Sequence, residues 1–201
     1  KLAETHWKKY PPNPSPEEFT VNCTGSYVFQ SKNCKECYEV ANAEDCKYLL
    51  MMGNPPVKDC YDVSSWGNNL TLAYECCVTG EDASNLKFCQ ESGLGLYNAE
   101  YCKLSTGGSN HFGCVSMKKG DYCIFNKRYT EEEFQELRSK IIAQMNAMPY
   151  RDKGGRIYKY GEFFPIEFSP SAYNETMAQK FFPLTKEEAL RQGYLWREIE
   201  E

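Results

Sequence analysis

The chain has 201 residues, of which 41% are hydrophobic, and a formal net charge of -5. That length and apolar content suffice for a packed core and exclude wholesale disorder, while the acidic balance excludes a generally basic nucleic-acid-binding surface. The imbalance lies in residues 1–123, with 15 acids against 11 bases, and no stretch approaches the roughly 20 apolar residues that a membrane-spanning helix needs.

Residues 1–20 read as an extended arm. Pro11, Pro12, Pro14 and Pro16 fix φ and remove backbone donors, which excludes a helix or a central strand there. His6, Trp7 and Tyr10 are the side chains placed to pack across whatever follows. The arm lacks the apolar core of a signal peptide. It starts without Met, so a removed leader stays open.

Residues 21–127 repeat one phrase: a small residue or Asn, two further residues, Cys, then an aromatic or aliphatic residue. Asn33-Cys34-Lys35-Glu36-Cys37-Tyr38 states it, and Asn98-Ala99-Glu100-Tyr101-Cys102 and Asn110-His111-Phe112-Gly113-Cys114 restate it. Between the phrases lie turn residues such as Gly53-Asn54-Pro55-Pro56, Gly67-Asn68-Asn69 and Thr106-Gly107-Gly108. The intervening runs are short and rich in Tyr, Val and Phe, without helical periodicity. A near-regular step means stacked units that share one core. The expected fold is therefore mainly β: a β-solenoid of stacked short strands, two steps to a flattened coil. A β-sandwich plus helices is the structural alternative. Asn33, Asn42, Asn85, Asn98 and Asn110 hold one offset before Cys, which suits left-handed corners bonded to neighbouring backbone.

Eleven cysteines suggest a disulfide framework in a small secreted protein. Here the size, the odd count and the single repeat phase favour reduced, buried thiols. Cys34-x-x-Cys37 is the lone CxxC and lacks a second pair at zinc spacing. Alternation along a strand lets Cys34 and Cys37 begin and end one strand, while of Cys76-Cys77 only one faces inward. Glu36, Glu44, Asp59, Glu75 and Glu100 fall one or two residues before a Cys, which predicts a column of acids on one face. Such a column is a solvated face or, functionally, a cation-binding or phosphate-mimicking ladder. Catalytic motifs are missing: Gly93-Leu94-Gly95 lacks a third glycine, and His111 beside Cys114 suits a turn better than a nucleophile pair. No catalytic, cofactor-binding or metal-ligating residue is assigned.

Residues 128–201 change character. Thr130-Glu131-Glu132-Glu133 is a capping box, and Phe134, Leu137, Ile141, Met145 and Met148 mark an amphipathic helix ended by Pro149. That helix is expected to cap the open end of the solenoid. Ser169-Pro170 predicts a second helix to about Lys180, and Thr185 to Glu188 a third that stops at Gly193. Arg151, Lys153, Arg156 and Lys159 are interleaved with aromatics, but acids balance them, which favours packing over base stacking.

Several blocks carry a resemblance: Tyr122-Cys123-Ile124-Phe125-Asn126-Lys127-Arg128-Tyr129, Tyr158-Lys159-Tyr160-Gly161-Glu162-Phe163-Phe164-Pro165, Ser169-Pro170-Ser171-Ala172-Tyr173-Asn174-Glu175-Thr176 and Phe182-Pro183-Leu184-Thr185-Lys186-Glu187-Glu188-Ala189. With the cysteine phrases they resemble uncharacterised cysteine-repeat proteins of environmental, candidate-phylum bacteria, over roughly residues 30 to 197. Members of that group often continue into CxxC zinc ribbons. The resemblance implies a reduced, cytoplasmic setting and a nucleic-acid association through ribbons beyond Glu201. It transfers no functional residue. The expected function is a non-enzymatic structural or protein-interaction scaffold with a protein partner, without membrane or direct nucleic-acid binding by this segment. The alternatives are an accessory module of a zinc-ribbon protein and a carbohydrate-active β-helix. For location, an extracellular setting with disulfides is the alternative.

Overall fold

The computed structural model describes residues 5–6, 9–10, 17–52 and 56–198. Trp7, most of the proline arm and the turn at 53–55 lie outside them. His6 and Tyr10 are exposed and their rings meet at 5.2 Å.

The fold is a β-solenoid of about seven turns with a few helices after it. Tyr38 pairs with Leu50, Lys47 with Tyr61, Tyr61 with Tyr74 and Ser109 with Asp121, so a coil takes 12, 14, 13 and 12 residues respectively. One step of the cysteine phrase therefore closes a whole coil, where the sequence had suggested half of one. In the large sheet pairing is parallel from Glu17–Glu18 to Asp121–Ile124 and antiparallel at the final hairpin with Lys127–Arg128; a separate two-stranded antiparallel sheet joins Tyr150–Arg151 to Ile157–Tyr158. This excludes the Greek-key sandwich, which is antiparallel.

The coil is built on a period of three. Cys34, Cys37, Val40, Ala43, Cys46 and Leu49 are all buried, with two outward residues between each. The residue just before each of these has positive φ: Asn33 at 54°, Glu36 at 52°, Glu39 at 56°, Asn42 at 48°, Asp45 at 54° and Tyr48 at 56°. A left-handed residue turns the chain, so the inward direction returns at the third residue instead of the second. Cys34 and Cys37 thus occupy successive sides of one coil, and the alternation expected for them does not hold. All five predicted corner asparagines are left-handed, the remaining three being Asn85 at 55°, Asn98 at 51° and Asn110 at 58°. Their amides link coils: Asn33 donates to Asp45 at 2.8 Å and Asn85 to Asn98 at 2.8 Å.

Register makes inward residues into columns. Cys34, Cys46, Cys60, Ala73, Leu86, Ala99, His111 and Cys123 stack in one; Cys37, Leu49, Val63, Cys76, Cys89, Cys102 and Cys114 stack in the next. The cysteines recur there because the slot is narrow and edged by carbonyls. Cys89 Sγ lies 3.3 Å from the Lys87 carbonyl of its own coil and 3.5 Å from the Ala99 carbonyl of the next. Ser92 and Ser105 meet the same two kinds of carbonyl with their hydroxyls. Cys76 is buried and Cys77 half-buried, as their adjacency requires.

The helix Glu131–Ala147 forms with its capping box at Thr130 and Glu133. It packs Phe134 against Phe112 and Ile124, outward residues of the last coils, so it covers a flank. The end itself is closed by the hairpin strand and by Asn126, whose amide donates to the Val115 carbonyl at 2.7 Å and accepts its N–H at 2.9 Å, imitating one further rung. The helix expected from Ser169-Pro170 starts later, at Met177–Phe181, after a 3-10 turn at Tyr173–Glu175. The Ser169 hydroxyl accepts the Ser171 N–H and donates to its carbonyl, closing a local turn before any helix begins. Lys186–Arg191 follows the second capping box, with Gly193 at φ 85° beyond it. No described helix is long and apolar enough to cross a membrane.

Candidate interaction face

One flank of the solenoid carries a ladder of rings from coil to coil. Tyr48 and Tyr61 lie 5.2 Å apart, Tyr61 and Tyr74 5.6 Å, Tyr74 and Phe88 5.6 Å, Phe88 and Tyr101 4.6 Å, and Tyr101 and Phe112 5.8 Å between centroids. Parallel pairing builds two adjacent outward columns, one with Tyr48, Phe88 and Tyr101 and the other with Tyr61, Tyr74 and Phe112; the rings pass from one to the other, and the strand spacing of ~4.8 Å suits contact both along a column and across the two.

The ladder has two halves. The C-terminal half is covered by residues 160–164 of the chain. Tyr160 sits 6.1 Å from both Phe88 and Tyr101, and Phe164 5.9 Å from Tyr101. The Tyr101 hydroxyl accepts the Gly161 N–H at 2.9 Å and donates to the Glu162 carbonyl at 3.1 Å, so it reads the backbone of the covering segment. Burial there pushes the Tyr101 phenol up to about 12. Burial also raises Glu75, which stands near the acids Asp62 and Glu162.

Glu100 pins this cover. Arg138 of the long helix grips it with two bonds, Nε to Oε2 at 3.0 Å and Nη2 to Oε1 at 2.9 Å. The Tyr160 hydroxyl donates to Oε1 at 3.0 Å, and Lys87 Nζ lies 3.5 Å from it. A buried carboxylate with this many donors is held in place, since loss of any partner leaves charge uncompensated.

The N-terminal half is open. Tyr61 is 40% and Tyr74 37% exposed, with Tyr38, Leu50 and Met51 exposed on nearby positions of the same coils. Lys47 holds its ammonium 4.5 Å from the Tyr48 ring centre. The position column that contains Tyr101 runs back through Phe88, Glu75, Asp62 and Tyr48 to Glu36, so Tyr48 stands between two acids.

The expected single column of acids does not form. Glu36 and Glu75 share a column, but Glu44 stacks between Lys32 and Lys58, Asp59 follows Asp45, and Glu100 follows Lys87. With a period of three, an offset of one or two residues from Cys places a side chain at different outward positions, and the cysteines themselves occupy two columns. Glu44 instead forms a cross-coil ion pair with Lys58 at 3.3 Å.

His111 is buried, its Nε2 2.9 Å from the Gly120 carbonyl, while Nδ1 has no partner among the described residues. It stacks between Ala99 and Cys123 as a core residue. All eleven cysteines are free, and the described residues contain no cluster of three or more His, Cys, Asp or Glu placed to hold a metal. Of the basic residues expected to pack, Arg156 donates to the Gln192 carbonyl and lies 5.8 Å from the Tyr194 ring. The ladder was not anticipated; its sequence signal is the recurrence of Tyr or Phe at steps of 13 or 14 from Tyr48 to Tyr101, with a last step of 11 to Phe112, readable once the coil length is known. No protein-family model and no curated protein matches the chain.

Proposed function

We propose that the protein is a non-enzymatic protein-interaction scaffold whose open half-ladder, Tyr48, Tyr61 and Tyr74, receives an extended segment of a partner protein. The observation that carries this reading is the covered half. There the same flank already binds an aromatic segment of the chain through ring contacts and a tyrosine hydroxyl that holds its backbone. The open half presents the same chemistry at the next coils. Rigid tyrosines suit such recognition because they offer contact area with little rotamer entropy to lose. Asp62 and Glu36 beside Tyr48 favour a segment with Lys or Arg next to an aromatic residue.

A display library of random peptides tests this without a known partner. Wild-type protein should enrich aromatic, basic peptides, and a Tyr61→Ser/Tyr74→Ser variant should not. Both positions face outward, so the variant keeps the core. Enrichment that survives the double substitution rejects the site. The carbohydrate reading draws on one feature, Glu75 with a raised pKa near Asp62 and beside the Tyr74 ring. A glycan array probed with the same two proteins decides between them: tyrosine-dependent retention of a glycan, with no peptide enrichment, replaces the scaffold reading.

A further inference from the structure

Beside the covered half of the ladder, a further outward column is formed by Gln90, Lys103 and Val115, held in register by parallel bridges. It is the floor of a cleft. The long helix supplies one wall through Ile141 and Met145, the ladder cover and the segment after it supply the other through Phe164 and Phe168, and the ladder rings Tyr101 and Phe112 also line it. Two chambers open here, of about 640 and 420 Å³, and Gln90, Phe164 and Phe168 line both. Small-molecule sites commonly measure roughly 300–1,000 Å³ and are apolar with a few placed polar groups.

The charge pattern is selective. The larger chamber, walled by Ile166, Tyr173, Leu184 and Leu195 among others, has no charged residue in its lining. The smaller has one, Lys103. Among the described residues no carboxylate lies within ion-pair distance of Lys103, although Glu44, Glu100 and Glu136 each hold a basic partner. A lysine lays its apolar stem along such a wall and keeps its ammonium at the polar end.

We propose that this cleft binds a long-chain aliphatic monocarboxylate, with the carboxylate on Lys103 and the chain running past Phe164 and Phe168 into the larger chamber. One positive charge at one end of an otherwise uncharged cavity matches one negative group on an apolar body. A neutral hydrocarbon leaves the ammonium against hydrocarbon, and a dianion brings a second charge into a lining without a counterpart. The site is independent of the half-ladder, which lies on other columns of other coils.

Fluorescence titration of the full chain with cis-parinaric acid, and in parallel with its methyl ester, tests the assignment. The acid should bind saturably, one to one, and more tightly than the ester. Lys103→Met should weaken the acid about fivefold, the size of a partly exposed ion pair, and leave the ester unchanged. Val115→Trp should suppress both by filling the smaller chamber; Val115 is 51% exposed, so the substitution spares the core, and circular dichroism confirms the fold. The proposal is overturned if acid and ester bind alike to the wild type, if Lys103→Met leaves the acid affinity intact, if Val115→Trp binds as the wild type does, or if no saturable uptake occurs.

Discussion

A left-handed residue costs an ordinary L-amino acid about 1–2 kcal/mol, yet this chain adopts that geometry at Glu36, Tyr48, Leu72, Val78 and Phe88 as well as at asparagines and aspartates. The cost is offset by what the turn delivers: a buried side chain at every third residue and one or two carbonyls for each buried thiol in the slot. Tyr101 shows how much a single outward residue gains on such a frame. Its phenol is raised from the ordinary 10.0 to about 12, with burial as the leading cause. The neutral form is therefore favoured in the folded state. Its contribution is complete below pH 10 and is lost as pH rises through about 12. Absorbance titration of the phenolates should show one tyrosine ionising near pH 12, absent in Tyr101→Phe; loss of no such step would contradict the burial of this hydroxyl. At this scale the corner asparagines were legible because Asn tolerates positive φ wherever it occurs. The glutamates and tyrosines in the same geometry were not, since nothing local marks them.

Elements here are defined by spacing between coils. The strands Tyr61–Gly67, Leu70–Gly80 and Gln90–Glu100 bring Gly67, Gly80 and Gly93 into one column. A Cβ on Gly80 would stand 1.6 Å from the Gly67 carbonyl oxygen, where φ is already 157°. Gly80→Ala should therefore cost more than about 4 kcal/mol, read as a collapse of the urea midpoint, whereas the same change at Gly95, where a Cβ meets nothing within 4 Å, should cost far less. Equal effects at the two sites would show that close approach is not the reason for glycine at Gly80. The repeat zone could be recognised from sulfur alone, because the buried slot accepts few side chains. The coil length could not. Cysteine steps of 3, 9, 13 and 14 mix two columns with coils of different size, and strand reasoning presumes an alternation that left-handed corners abolish. The ladder was hidden for the same reason: Tyr61 and Tyr74 become neighbours only after their coils are aligned.

The whole molecule is quasi-one-dimensional, each coil stabilised by its neighbours. It is not uniform along its axis. The last coils carry the long helix, the Glu100–Arg138 bridge, Tyr160 and the Asn126 rung, while the first coils carry none of these. Thiol labelling in mild denaturant reports this coil by coil, because nine of the eleven cysteines are buried. Cys23 and Cys77 should react first, then Cys34 and Cys37, and Cys102 and Cys114 last. Glu100→Gln leaves Arg138 without its carboxylate and should speed labelling of Cys102 and Cys114 about tenfold, with Cys34 and Cys37 unchanged. Uniform acceleration at all four would mean that the bridge stabilises the whole stack as one unit.

The parallel rungs run along the axis, and nearly all of them stand in series between the two ends. Tension applied along that axis falls on every layer equally and is shared by none. Such a stack would peel at its weakest layer first and lengthen in steps of one coil, as a thread unwinds from a spool, with the helix-clad end paying out last.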